Sequence, residues 1–186
     1  MIYDSYIWKQ DLKKELVKFK KFIYTTKIQV KPPESNKFFL RIEKFFFVTA
    51  YVIRKLNEAN KLSDELVSTT LPIVKYPRKN KDKRLDFLNY YYPERFFDYK
   101  NKQEMNLNCL VLCNYLIHSF IFNPIFDEKE WNVIGIQVTS DKSKLEALYY
   151  ITLNDYFKFL EQIISDNIVK VSFSRITGTY KKSRKK

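Results

Sequence analysis

Glycine is nearly missing from this chain: Gly135 and Gly178 are the only two among 186 residues. Backbone cradles for phosphate need glycine, because a side chain blocks close approach and φ is often positive there. Two scattered glycines build neither a Walker loop nor a dinucleotide fingerprint, which argues against a nucleotide-driven motor or a nicotinamide-dependent dehydrogenase. Histidine occurs once, at His118, so multi-histidine metal sites are ruled out. The two cysteines, Cys109 and Cys113, stand four apart in a helical stretch and share one face. A disulfide between them is not expected, in keeping with a reducing compartment. No apolar run reaches the roughly 18 residues of a membrane span. The start, MIYDSYIWKQDLKKEL, has no basic segment followed by an apolar one. No signal peptide is therefore expected, and the cytoplasm is the expected location. Nothing in the composition implies a cofactor or a metal.

Arginine is scarce too. Of 34 basic residues seven are Arg, which leaves 27 Lys, against 21 acidic residues. The formal charge is +13 and the pI about 9.5, which points to a polyanionic partner, most simply nucleic acid. A second reading is genomic: Lys over Arg, with abundant Asn, Ile, Tyr and Phe, is what AT-rich coding DNA produces whatever the function. The basic residues concentrate in two places. Arg78, Lys79, Lys81, Lys83 and Arg84 lie in "RKNKDKR", and Lys181, Lys182, Arg184, Lys185 and Lys186 lie in the terminal "TYKKSRKK". These are the candidate nucleic-acid contacts.

Hydrophobic content of 45% with 30% charged residues is that of a globular chain. From Tyr6 to Tyr24 the residues Trp8, Leu12, Leu16, Phe19 and Ile23 recur at helical spacing. Lys31-Pro32-Pro33-Glu34 breaks the chain. A second helix is predicted from about Asn36 to Asn60, and its middle, FFFVTAYVI, is apolar on almost every side, as in a buried helix. Ser63 reads as an N-cap, "STTLPIVKYP" as extended, and "DFLNYYYPERFFDY" as an aromatic segment that packs or presents stacking rings. Leu107 to about His118 reads as a short apolar helix. The period then changes: "SFIFNPIFD", "WNVIGIQVTSD" and "EALYYITL" read as three antiparallel strands. "NDYFKFLEQIISDN" is an amphipathic helix capped by Asn154 or Asp155, and "IVKVSFSRITG" a last strand. The expected fold class is α+β, one domain over 1–178. A helical half, 1–118, packs on a small antiparallel sheet with one C-terminal amphipathic helix, 119–178, followed by a basic tail, 179–186.

The block "LNCLVLCNYLIHSFIFNPIFD" places Asn114 and His118 in apolar surroundings. At about 100° per residue they lie about 40° apart on a helix, while His118 sits about 140° from Cys113, so cysteines and histidine do not converge on a metal. "CNYLIH", Cys113 to His118, resembles the motif of HEPN ribonuclease domains, small helical bundles with an arginine, a polar residue and then a histidine on one helix. Asn114 matches the polar position and His118 the histidine, and Cys113 stands where the family has arginine. The resemblance implies metal-independent RNA cleavage, with His118 in acid–base transfer and a site formed where two subunits meet. In such a site Arg41 or Arg54 would enter from the neighbouring helix in place of the arginine; the preferred reading of Asn114 and His118 is a buried polar pair satisfied by backbone carbonyls or by charges at the ends of the second helix. The preferred expectation is a non-enzymatic basic accessory protein contacting nucleic acid or a nucleoprotein partner. The alternatives are a degenerate or active HEPN-like ribonuclease, and a protein–protein adaptor. A protein partner or a homo-oligomer is compatible with each, and no membrane contact is expected.

Overall fold

The computed structural model describes residues 2–25, 34–80, 82–127 and 132–184. The class is α+β, with helices on one side of a five-stranded antiparallel sheet and a separate two-stranded ribbon. Helix α1, Ser5–Thr25, buries Lys9, Leu12, Leu16, Phe19 and Ile23 along one stripe. Helix α2, Glu34–Glu58, buries Phe38, Ile42, Phe45, Phe46, Ala50, Ile53 and Leu56. The proline break between them lies outside the described residues. α2 is less enclosed than its apolar middle suggests: Leu40, Val48 and Tyr51 are exposed along one edge.

α2 ends because Asn60 takes a left-handed conformation, with φ 56°. Lys61 N–H then donates to Leu56 O at 2.8 Å and Asn60 N–H to Asn57 O at 2.9 Å, the paired bonds of a Schellman terminus. Asn is the non-glycine residue that tolerates this φ best. Ser63 caps the short helix α3, Asp64–Val67, as its sequence suggests, and its Oγ accepts from Leu66 N–H.

Strands β1, Thr70–Pro77, within the segment expected to be extended, and β2, Gln103–Asn108, which was not expected, follow, so the half read as mainly helical contributes two of the five strands. Helix α4, Cys109–Ile117, leads to β3, Ser119–Phe126, and then to β4, Val133–Ser140, and β5, Ala147–Thr152. The order across the sheet is β2-β1-β5-β4-β3, every pair antiparallel. α4 therefore connects one edge strand to the other. Four inter-strand steps come to about 19 Å, and a nine-residue helix with its end residues spans most of that. Crossing the sheet's whole width explains why α4 is so apolar.

Helix α5, Leu153–Ser165, starts with no linker after β5. The strand's last residue, Thr152, therefore serves as its cap, accepting from Asp155 N–H, in place of the expected Asn154 or Asp155. The main core lies between the helices and one face of the sheet. A second, smaller core covers the opposite face, where Leu85, Phe96 and Phe97 of the irregular 78–99 segment meet Ile121 and Leu148.

Strands β6, Ile168–Ser174, and β7, Thr179–Arg184, form an antiparallel ribbon. The residues expected to be a loose basic tail are thus a paired strand up to Arg184; Lys185 and Lys186 lie outside the described residues. Lys182 anchors the ribbon: its backbone N–H donates to Asp64 at 2.8 Å and its ammonium reaches Asn60 Oδ1 at 3.2 Å.

Candidate nucleic-acid interface

The sequence-predicted residues separate into three places. His118 caps the C-terminal end of α4, and its N–H donates to the carbonyl of Asn114. Both side chains are exposed, which corrects the expectation of a buried polar pair. The stripe that α4 buries is Cys109, Leu112, Cys113 and Leu116, at positions i, i+3, i+4 and i+7. Asn114 and His118 fall outside it. High apolarity all along the helix hides this direction in the sequence. Arg54 of α2 brings Nη1 to 3.4 Å from His118 Nε2, while its Nε donates to Glu58 at 2.9 Å. A guanidinium only donates, so the contact is a hydrogen bond when Nε2 is the accepting ring nitrogen. Cys113 is fully buried and Cys109 nearly so, both free thiols; burial pushes the Cys109 thiol up to about 11 and that of Cys113 higher.

The 78–84 loop uses much of its charge internally. The Arg78 guanidinium lies 4.9 Å from the Phe96 ring centre and 5.5 Å from that of Phe97, and Nη2 donates to Lys83 O. Its Nε and Nη1 are buried without a partner, and this desolvation lowers its pKa. Lys79 donates to Glu94 O at 2.8 Å, Lys83 sits over Phe96, and Arg84 lies 3.4 Å from Asp86. Lys79, Lys83 and Arg84 remain exposed. Lys81 lies outside the described residues.

The ribbon differs. Residues 168–184 carry Lys170, Arg175, Lys181, Lys182 and Arg184 and no carboxylate. Lys182 is 6% exposed and held by Asp64 and Asn60; the other four cations are exposed. Direct pairing of Val171 with Lys182 and of Phe173 with Tyr180 puts these four on one face. Lys170, Ser172, Lys181 and Ser183 take the other. Phe173 and Tyr180 rings stand 4.7 Å apart, and Ile176 at the turn is 98% exposed. Gly178, with φ 66°, supplies the left-handed position that turn requires.

Lys170, Arg175 and the ribbon's rings are additions to the sequence-predicted set; of the two second-helix arginines named from the sequence, Arg54 is the one that meets His118. The available signal was the absence of acids from 168 to 184 and an alternation that continues past Gly178. Among the described residues no cluster of three or more His, Cys, Asp or Glu could hold a metal, and no helix is long and apolar enough to cross a membrane. No family model matches the chain, and no curated protein or solved structure shows significant similarity to it.

Proposed function

We propose that this protein is a basic accessory protein that contacts nucleic acid, or the nucleic acid of a nucleoprotein partner, through the β6–β7 ribbon, without catalysing a reaction on it. The observation that carries the reading is a two-stranded ribbon with four exposed cations and no carboxylate. Neutralising phosphates with such cations releases counterions, so affinity falls steeply with salt. Codon bias explains an excess of lysine over the whole chain, but not the gathering of four exposed cations without a carboxylate among them on one ribbon.

Fluorescence anisotropy with a labelled oligonucleotide at several salt concentrations tests this. Binding is expected at low salt. Replacing Lys170, Arg175 and Lys181 together by Gln should flatten log K against log salt by roughly 2 to 3, since each phosphate contributes about 0.7 to 0.9. Absent or salt-indifferent binding rules the reading out and favours a protein–protein adaptor.

A second reading, a HEPN-like ribonuclease, is favoured by one contact: Arg54 stands beside His118 and offers the cation that Cys113 does not. Asn114 and His118 would be its remaining residues. Single-turnover incubation with RNA under chelator decides it. Cleavage lost in both His118→Ala and Arg54→Ala supports it, and silence of the wild type excludes it.

A further inference from the structure

The ribbon does not stand free on both faces. Its Val171 and Tyr180 form one wall of an open cleft of about 770 Å³. Ile2 and Trp8, at the N-terminal end of the chain and of α1, form a second wall, and Tyr51, Lys55 and Glu58 of α2 a third. The aromatic side chains here are not core residues: Trp8 is 39% exposed, Tyr51 50%, Tyr180 48% and the adjoining Phe173 51%. Lys55 and Lys61 line the cleft as well, and the Lys55 ammonium lies 5.6 Å from the Tyr51 ring centre. The carboxylate in the lining, Glu58, is bonded to Lys55 at 2.7 Å and to Arg54 at 2.9 Å, so two cations share one carboxylate and the group as a whole stays positive.

Aromatic rings left half-exposed beside cations suit a ligand with flat faces and a polyanionic backbone. We infer that the Trp8–Tyr51–Tyr180 cleft takes unpaired nucleobases, so that the protein prefers single-stranded nucleic acid to duplex. The inference rests on the nucleic-acid reading of the ribbon and deepens it. Exposed bases stack on such rings without sequence preference, while neighbouring cations follow the phosphates. A duplex hides its base faces and cannot use the rings. Phe173, beside Tyr180 on the same ribbon face, extends the row of rings toward the exposed Ile176 turn, with Lys170 and Lys181 at the ribbon's back. An apolar peptide would also fit the rings, but it does not account for Lys55, Lys61 and a ribbon free of acids.

The test compares binding of an oligothymidylate strand with binding of a duplex of equal length, for wild type, Trp8→Leu, Tyr51→Leu and Tyr180→Leu. Far-ultraviolet circular dichroism and the urea midpoint check that each variant is folded. The single strand is expected to bind wild type at least about tenfold more tightly than duplex. Each ring substitution should lower single-strand affinity by about five- to 150-fold, and Trp8→Leu and Tyr51→Leu, which lie off the ribbon, should leave duplex affinity and the salt slope unchanged. Tyr51→Phe, which keeps a stacking face, should bind like wild type. Salt-dependent binding that ignores the ring substitutions, or that shows no preference for the single strand, overturns this inference and leaves the ribbon reading intact. No salt-dependent binding of either probe overturns both.

Discussion

His118 shows how one residue's surroundings can be misjudged from its neighbours in sequence. Its flanks are apolar because α4 crosses the sheet, yet its own direction faces solvent and Arg54. Exposure removes the cavity and the unpaired buried groups that truncation would otherwise create. His118→Ala should therefore change the unfolding free energy by no more than about 0.5 kcal/mol, read by urea titration. A loss of about 2 kcal/mol would show that the ring does structural work that its exposure does not reveal. Buried polar groups lie elsewhere. Thr49 Oγ1 meets Tyr156 OH at 2.8 Å between α2 and α5, and Asp166 accepts from the backbone and the hydroxyl of Ser63 and from Lys9. Ser63 is readable in the sequence as an N-cap, but none of these pairings is, because each joins positions far apart in the chain. Lys9 is the plainest case: it occupies the buried stripe next to a partly exposed Trp8, and only the position of Asp166, 157 residues away, explains the exchange.

At the scale of elements, legibility followed how much of a pattern an element carries by itself. α1 and α5 each bury a regular helical stripe, and strands β3 to β5 carry runs of β-branched and aromatic residues bounded by polar turns, so all five are readable. β2, QEMNLN, exposes its first four residues and is a strand because β1 lies beside it, so nothing in its own composition announces it. β7 was missed for a similar reason: TYKKSR has the composition of a tail, and pairing with β6 and capture by Asp64 make it a strand. Of the candidate interface, the basic cluster after Gly178 was visible in the sequence. The cleft was not, since α1, α2 and the ribbon build it together. Capture by Asp64 has a measurable consequence. Asp64→Ala removes the acceptor for the Lys182 backbone N–H and the counter-charge for its buried ammonium. Hydrogen exchange across 168–184 should then accelerate, while protection in β1 and β5 stays as in wild type. Unchanged protection in the ribbon would show that packing of Val171 and Tyr180 holds it without this lock.

For the whole molecule, tyrosine burial sets an alkaline limit. Desolvation pushes the Tyr99 phenol from 10.0 up to about 12. Burial raises Tyr149 and Tyr156 as well. A raised folded-state pKa means stability that is complete below the ordinary phenol value and is lost as pH climbs toward the folded one. Lys9 acts with the opposite sign, because burial lowers its pKa, but it is one group against several. The urea midpoint should thus fall between about pH 10 and 12, in step with phenolate absorbance. A midpoint that stays level over that interval would mean that the tyrosines ionise in place without opposing the fold.

The central seam of the sheet also dictates a schedule for synthesis. β1 has β2 on one side as soon as that strand emerges, but its other neighbour is β5, with Val74 opposite Tyr150. At roughly 5 to 20 residues per second, the unpaired edge of β1 waits about 4 to 15 s for a partner made about 75 residues later. During that interval β1 and β2 can pair with each other but leave one side open, and the seam closes only once β5 is made. The nascent chain is most exposed to wrong pairing in this window, and a chaperone that shields extended apolar segments would have its greatest effect on yield there.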